Sequence, residues 1–165
     1  MDKHMLKNKY IRLAVIGGCS IIVDQVTKFL ILKYLPFNQK ITVISGFFDI
    51  VHINNPGGAF GLLANLSPQW RTIVFLFVSS LAVGLIFYFY KKTPQSHPWL
   101  AAGFALIFGG AIGNLIDRLR FGFVIDFLDF YLANYHWPAF NIADSAITVG
   151  LAIFLIHIVL RKMPD

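Results

Sequence analysis

The chain has 165 residues, enough for one domain, and is 57% hydrophobic but only 13% charged. Soluble domains are about 45–50% apolar and about 25% charged, so this composition excludes an ordinary water-soluble fold and points to a bilayer. The net charge of +6 arises from 14 Lys and Arg against 8 acids. The basic residues gather at the ends of apolar stretches, which argues against nucleic acid as a partner.

The first predicted span runs from about Ile11 to Tyr34. Its apolar stretch is too long for a cleavable signal peptide and no small-x-small exit follows, so it reads as a retained helix. It alone carries several charges in its interior, in "DQVTK" (Asp24 to Lys28). Spacing i, i+4 puts Asp24 and Lys28 on one helix face, where they neutralise each other. Cys19, the lone cysteine, lies in the same helix. It allows no disulfide within the chain and is expected to be buried like a small apolar residue.

The connection from Pro36 to Gln69 is too long for a helical hairpin turn. "KITVISGFFDIVHIN" is rich in β-branched and aromatic residues and predicts one or two short strands broken at Gly46. "NPGGAFG" (Asn55 to Gly61) follows as a turn that lets backbone approach another group. The second span covers Thr72 to Tyr90 and the third Trp99 to Ile116, each near the roughly 20 residues a bilayer requires. The third ends in "GNLIDR", where Asp117 is read as a cap or as the partner of Arg118, and Arg118 as snorkelling outward.

The next connection, Leu119 to Ala139, holds most of a run of eight aromatic residues between Phe121 and Phe140. Such density favours the bilayer interface, so the segment is expected to lie along the membrane surface or dip into it. Asp126 and Asp129 are embedded there. They share a face on a helix and oppose each other on a strand, and spacing leaves the choice open. The fourth span starts near Phe140 and ends near Leu160.

Lys3, Lys7, Lys9 and Arg12, then Lys91 and Lys92, then Arg161 and Lys162 mark three cytoplasmic places, so both termini are predicted inside. All eight acids are Asp, and six of them (Asp24, Asp49, Asp117, Asp126, Asp129, Asp144) fall in the opposite half or its connections. That bias suggests a site at the outer face. Ionisable groups at membrane depth cost at least a few kcal/mol near its centre and are functional candidates by default.

Asp144 has no Lys or Arg within four positions on its own helix. As an anion it gains from the helix N-terminus, which also fits a plain capping role. Asp126 sits among Phe and Ile, where burial raises a carboxyl pKa. Two such carboxylates, if they meet, share a proton, activate water and polarise an amide carbonyl as an aspartic protease does. Two alternatives are weaker. A metal would draw on His52 and His136, which lack ligand spacing, and a nucleophilic pair would join Ser145 to Lys28, already occupied by Asp24. A small proton-coupled transporter and a non-catalytic membrane scaffold are further readings. The first is disfavoured because the acids cluster near one face rather than the midplane.

Five stretches in order, "DQVTK", "NNPGGAFG", "GNLIDR", "VIDF" and "FNIADS", spread over four spans, resemble lipoprotein signal peptidase, or signal peptidase II, of the bacterial inner membrane. The resemblance covers nearly the whole chain. It implies an all-α membrane protein of one domain, residues 1–165, in which four transmembrane helices carry a small periplasmic β-cradle and a short surface helix covering the site. Both of these belong to the connection between the first two helices. It implies an aspartyl endopeptidase that removes signal peptides from prolipoproteins, cleaving before a diacylglyceryl-modified cysteine at the periplasmic face. Asp126 and Asp144 match the catalytic pair. Asn55, Gly57, Asn114, Arg118 and Asn141 match positions that line the site or bind substrate, and Asp24 and Lys28 a supporting polar cluster, with Asp117 supporting Arg118. No cofactor, metal, nucleic acid or obligate protein partner is implied; the partners are the lipidated substrate and membrane lipids. Pro56 departs from the small or hydroxyl residue found in many members and supplies no N–H at that place.

Overall fold

Residues 8–57, 67–160 and 162 are described by a computed structural model. In chain order they form α1 (Lys9–Tyr34), β1 (Lys40–Ile44), β2 (Phe48–Asn55), α2 (Pro68–Lys92), α3 (Pro98–Phe121), β3 (Val124–Leu132), β4 (Tyr135–His136) and α4 (Ile142–Val159). The short surface helix expected after the first strands falls outside the described residues.

Local chemistry sets most helix ends. Asn8 caps α1, its side chain accepting from the Tyr10 amide at 3.0 Å. Pro68 and Pro98 stand in the first turns of α2 and α3, where a missing N–H costs nothing. The third helix runs past Ile116 to Phe121 and stops at Gly122, whose φ of 79° suits a left-handed cap. Asp117 therefore lies inside α3 and does not cap it.

All four helices are long and apolar enough to cross a membrane, with windows of mean hydropathy between 1.7 and 2.3. At about 1.5 Å per residue even α4, with 18 residues, extends roughly 27 Å. Side chains such as Phe77, Leu81, Val149 and Leu155 are exposed along the bundle, as a lipid solvent permits. Cys19 is exposed as well, contrary to the buried position expected of it. Apolar outward faces are tolerable in lipid, so hydrophobicity does not force a thiol inward.

The third helix is the hub. It packs against α1, α2 and α4, while α1 and α4 touch less extensively. Small residues make the close approaches. A Cβ added at Gly109 would stand 2.7 Å from the Gly17 carbonyl oxygen of α1, and one at Gly150 would stand 2.5 Å from the Gly103 oxygen. Backbone cannot step aside as a side chain can. Gly109→Ala and Gly150→Ala should each lower stability by about 1–3 kcal/mol. Gly18→Ala and Gly84→Ala, which meet nothing within 4 Å, should be neutral or slightly stabilising. Thermal unfolding in one detergent compares all four; equal midpoints would remove the close-packing argument.

The sheet is antiparallel in the order β1-β2-β3-β4. The connection between α3 and α4 is thus chiefly strand, and the cradle draws on both connections rather than the first alone. The β-branched and aromatic run in β3 suits a pleated, half-buried surface. Asp49 lies opposite Asp129, and Ile53 opposite Asp126, with a register irregularity between Ile50 and Ile53. Such irregularities re-aim side chains, and this one borders Asp126. Asp129 goes to His136 at 3.0 Å, away from the Asp126 contacts, as the strand alternation requires.

Candidate active site

Three backbone or near-backbone ties bring distant segments together at one end of the bundle. Leu128 and Phe140 form a bridge, with the Leu128 amide 2.8 Å from the Phe140 oxygen and the Phe140 amide 3.1 Å from the Leu128 oxygen. This fixes β3, and so Asp126, beside the start of α4. The Ile125 amide donates to Asp117 Oδ2 at 3.2 Å, which ties β3 to α3. The Ala143 amide donates to Asp24 Oδ1 at 2.9 Å, which ties α4 to α1 and occupies one of the free N–H groups of the helix start.

Asn141 joins the two candidate carboxylates. Its Nδ2 donates to Asp126 Oδ1 at 2.7 Å, and its backbone N–H donates to Asp144 Oδ2 at 3.3 Å. Its own side-chain oxygen accepts from the Asp144 amide at 3.0 Å, completing a capping box on α4. The capping role read for Asp144 is real, but it uses only one carboxylate oxygen. The other, Oδ1, accepts from Asn114 Nδ2 at 2.7 Å. Asp126 Oδ2 accepts from Asn55 Nδ2 at 2.8 Å, and Asn55 Oδ1 in turn accepts from the Gly57 amide at 2.9 Å. Pro56 costs this turn nothing, because the donor is the next residue.

Joined to the candidate carboxylate Asp144 through Asn114 is a buried charge cluster. Lys28 Nζ is 2.9 Å from Asp24, 2.8 Å from Asp117 and 3.0 Å from Asn114 Oδ1. The predicted Asp24–Lys28 pair is present, and Asp117 joins it. Asp117 was expected to support Arg118, but its oxygens are engaged by Lys28, Gln25 and Ile125. A lysine within reach of two buried acids neutralises charge that would otherwise be stranded in apolar surroundings. Gln25, not singled out from the sequence, donates to Asp24, to Asp117 and to the Gly113 carbonyl. Its signal was that of any amide on a lipid-bound helix. Gly113 leaves Asp24 its place, since a Cβ there would stand 2.6 Å from Asp24 Oδ2.

Asp126 is 2% exposed, and burial pushes its carboxyl up to about 6, with Asp144 adding to the rise. Asn55, Asn141 and Lys28 oppose it. In the unfolded chain this group titrates near 3.8. The stabilisation from holding its proton is therefore complete below that value and is lost as pH rises through about 6. The loss amounts to something on the order of 3 kcal/mol at pH 8. Asp126→Asn, uncharged at every pH, loses one accepted hydrogen bond at both pH values, so its unfolding midpoint relative to wild type should be more favourable at pH 8 than at pH 4. A difference from wild type of equal size at both pH values would contradict this origin.

The side chains weighed for the nucleophile and metal readings have other partners. Ser145 Oγ donates to the Asn141 carbonyl at 3.0 Å, while Lys28 is held by its acids. His52 faces the Leu35 carbonyl at 2.8 Å, and His136 faces Asp129. Arg118 lies near Asp126 and Asp144 and donates to the Asn114 carbonyl at 3.3 Å.

Residues 16–160 match the peptidase A8 family model, described as signal peptidase (SPase) II. The chain belongs to this family. It is 54% identical over 155 residues to a lipoprotein signal peptidase of Desulforapulum autotrophicum, covering 94% of this chain and 96% of the relative. It is 48% identical over 154 residues to the lipoprotein signal peptidase of Geobacter sulfurreducens, covering 92% and 94%. Two solved structures share the fold. A bacterial membrane enzyme solved in meso at 2.3 Å gives a TM-score of 0.77 at 34% identity, covering 91% of this chain and 87% of that one. Another, at 1.9 Å, gives 0.79 at 32% identity, covering 88% and 91%. This signal peptidase II family member is accordingly a multi-pass membrane protein and a peptidase of the aspartic type.

Proposed function

We propose that the chain removes signal peptides from diacylglyceryl-modified prolipoproteins of the bacterial inner membrane, cleaving just before the lipidated cysteine. The observation that carries the chemistry is the shared amide, Asn141, which contacts both Asp126 and Asp144. Asp144 is the more exposed of the pair and is the carboxylate offered to water. It takes a proton as the water oxygen attacks the scissile carbonyl carbon. Asp126, whose burial favours its protonated form, donates to the carbonyl oxygen. The tetrahedral species collapses, the C–N bond breaks, and a proton passes to the departing amine. Asn55, Asn114 and Asn141 fix the acids, and the Arg118 guanidinium favours negative charge developing beside them.

The membrane placement follows from charge. Lys9 and Arg12 open α1, Lys91 and Lys92 close α2, and Lys162 follows α4, all at the end of the bundle away from the dyad. That end is assigned to the cytoplasm with both termini, and the sheet and dyad to the periplasmic boundary. A lipid-anchored substrate then approaches sideways through the bilayer while its backbone meets amides and acids at the edge. The acids gather at this end rather than at the midplane, so a transporter reading is set aside.

The test uses purified protein in liposomes with a prolipoprotein before and after diacylglyceryl transfer. The lipidated precursor should be cut before its cysteine and the unlipidated one should not. Failure to cut either substrate would refute the assignment.

A further inference from the structure

The second helix supplies none of the polar groups described above, yet one of its rings touches two arms of the site. Gly57 lies so close to Phe75 that a Cβ built on it would stand 2.5 and 2.6 Å from two ring carbons. The φ of Gly57 is 91°, in the left-handed region, so backbone conformation and ring proximity both demand glycine. The same ring has the Arg118 guanidinium 5.9 Å from its centroid. One turn earlier, Thr72 lies against Gly122 at the end of α3, so this face of α2 is seated where the site begins.

The consequence is geometric. The Asn55 side chain is held at one end by the Gly57 amide and reaches Asp126 with the other. Asn55 is the last residue of β2, paired with Val124 of β3, and the ladder holds nothing of the turn beyond it. The ring therefore forms a wall against which the Asn55–Gly57 turn closes. A guanidinium within about 6 Å of an aromatic face is attracted to it, which limits where Arg118 swings.

We propose that Phe75 is a positioning residue for the reaction: its ring seats the Asn55–Gly57 turn and underlies Arg118, and so aims both at the dyad from a helix that lends no polar group. The proposal rests on Asp126 and Asp144 being the catalytic pair.

Its test is a kinetic series on the full-length enzyme in liposomes with lipidated substrate. Phe75→Leu should lower kcat by roughly 10- to 100-fold, the scale of a small misplacement of catalytic groups, with KM changed less. Phe75→Tyr, which keeps the ring, should retain activity within about threefold of wild type. In an Asn55→Ala background the cost of Phe75→Leu should shrink to about tenfold or less, because one of the two arms it aims is already gone and only Arg118 remains. Phe75→Leu keeping wild-type kcat, or its loss persisting in full beside Asn55→Ala, would overturn the proposal. So would failure of Phe75→Tyr to restore activity in protein whose unfolding midpoint matches wild type. Asp144→Asn is run alongside: if it stays active, the dyad itself is wrong, whereas an inactive Asp144→Asn with an indifferent Phe75 sinks only the positioning role.

Discussion

Asp126→Asn and Asp144→Asn should each lower kcat for prolipoprotein cleavage by about 10²–10⁴-fold, the range of a lost acid or base. Joint replacement should be little worse than either alone, because the two act as one unit. The geometry gives the reason. Asn141 addresses both carboxylates, so an amide at either position can still occupy the volume while losing the exchange of a proton. Substrate binding need not weaken, since Asn retains hydrogen-bonding capacity, and the loss should fall on kcat. Measurement of both constants with lipidated precursor decides it, and full turnover in either variant would end the dyad proposal.

Lys28→Met should be the most damaging change to folding. Lys28 is 2% exposed and Asp24 and Asp117 are both fully buried. Removing the lysine leaves two carboxylates without their cation in apolar surroundings, a loss of about 3–5 kcal/mol for a broken buried pair. Arginine should not rescue it, because a planar fork cannot replace a compact ammonium among three acceptors. Combining Lys28→Met with Asp24→Asn and Asp117→Asn should recover much of the stability, since no charge is then stranded. Unfolding midpoints in detergent measure the series; a triple variant no better than Lys28→Met would show that the cluster is not held by charge. The same substitution should depress activity, because Lys28 also holds Asn114, which in turn meets Asp144.

Much was legible from local pattern. Long apolar runs marked four helices long and apolar enough to cross a membrane, because hydropathy is additive along a segment. The i, i+4 spacing of Asp24 and Lys28 placed them together, since a helix fixes that distance whatever surrounds it. Asp144 could be placed in the first turn of a helix for the same reason.

Other features depended on contacts between residues far apart in the chain. Nothing near Asp117 announced that its partner would be Lys28 of α1 rather than adjacent Arg118. The run around Asp126 suited either a surface helix or a strand until β2 offered it a ladder, after which Asp126 and Asp129 faced apart. Cys19 looked like core, but a bilayer rewards an outward apolar residue as well as an inward one, so composition could not say which way it faced. Nothing in the sequence sets Phe75 apart from the other rings of the second span; the approach of Gly57 and Arg118 does. Sequence alone determined which segments are long and apolar enough to enter lipid and which acids lie toward one end of them, because those follow from short-range periodicity and transfer free energy. Tertiary structure decided which acids share a partner, because backbone ties such as the Leu128–Phe140 bridge, and not spacing, bring a strand beside a helix start.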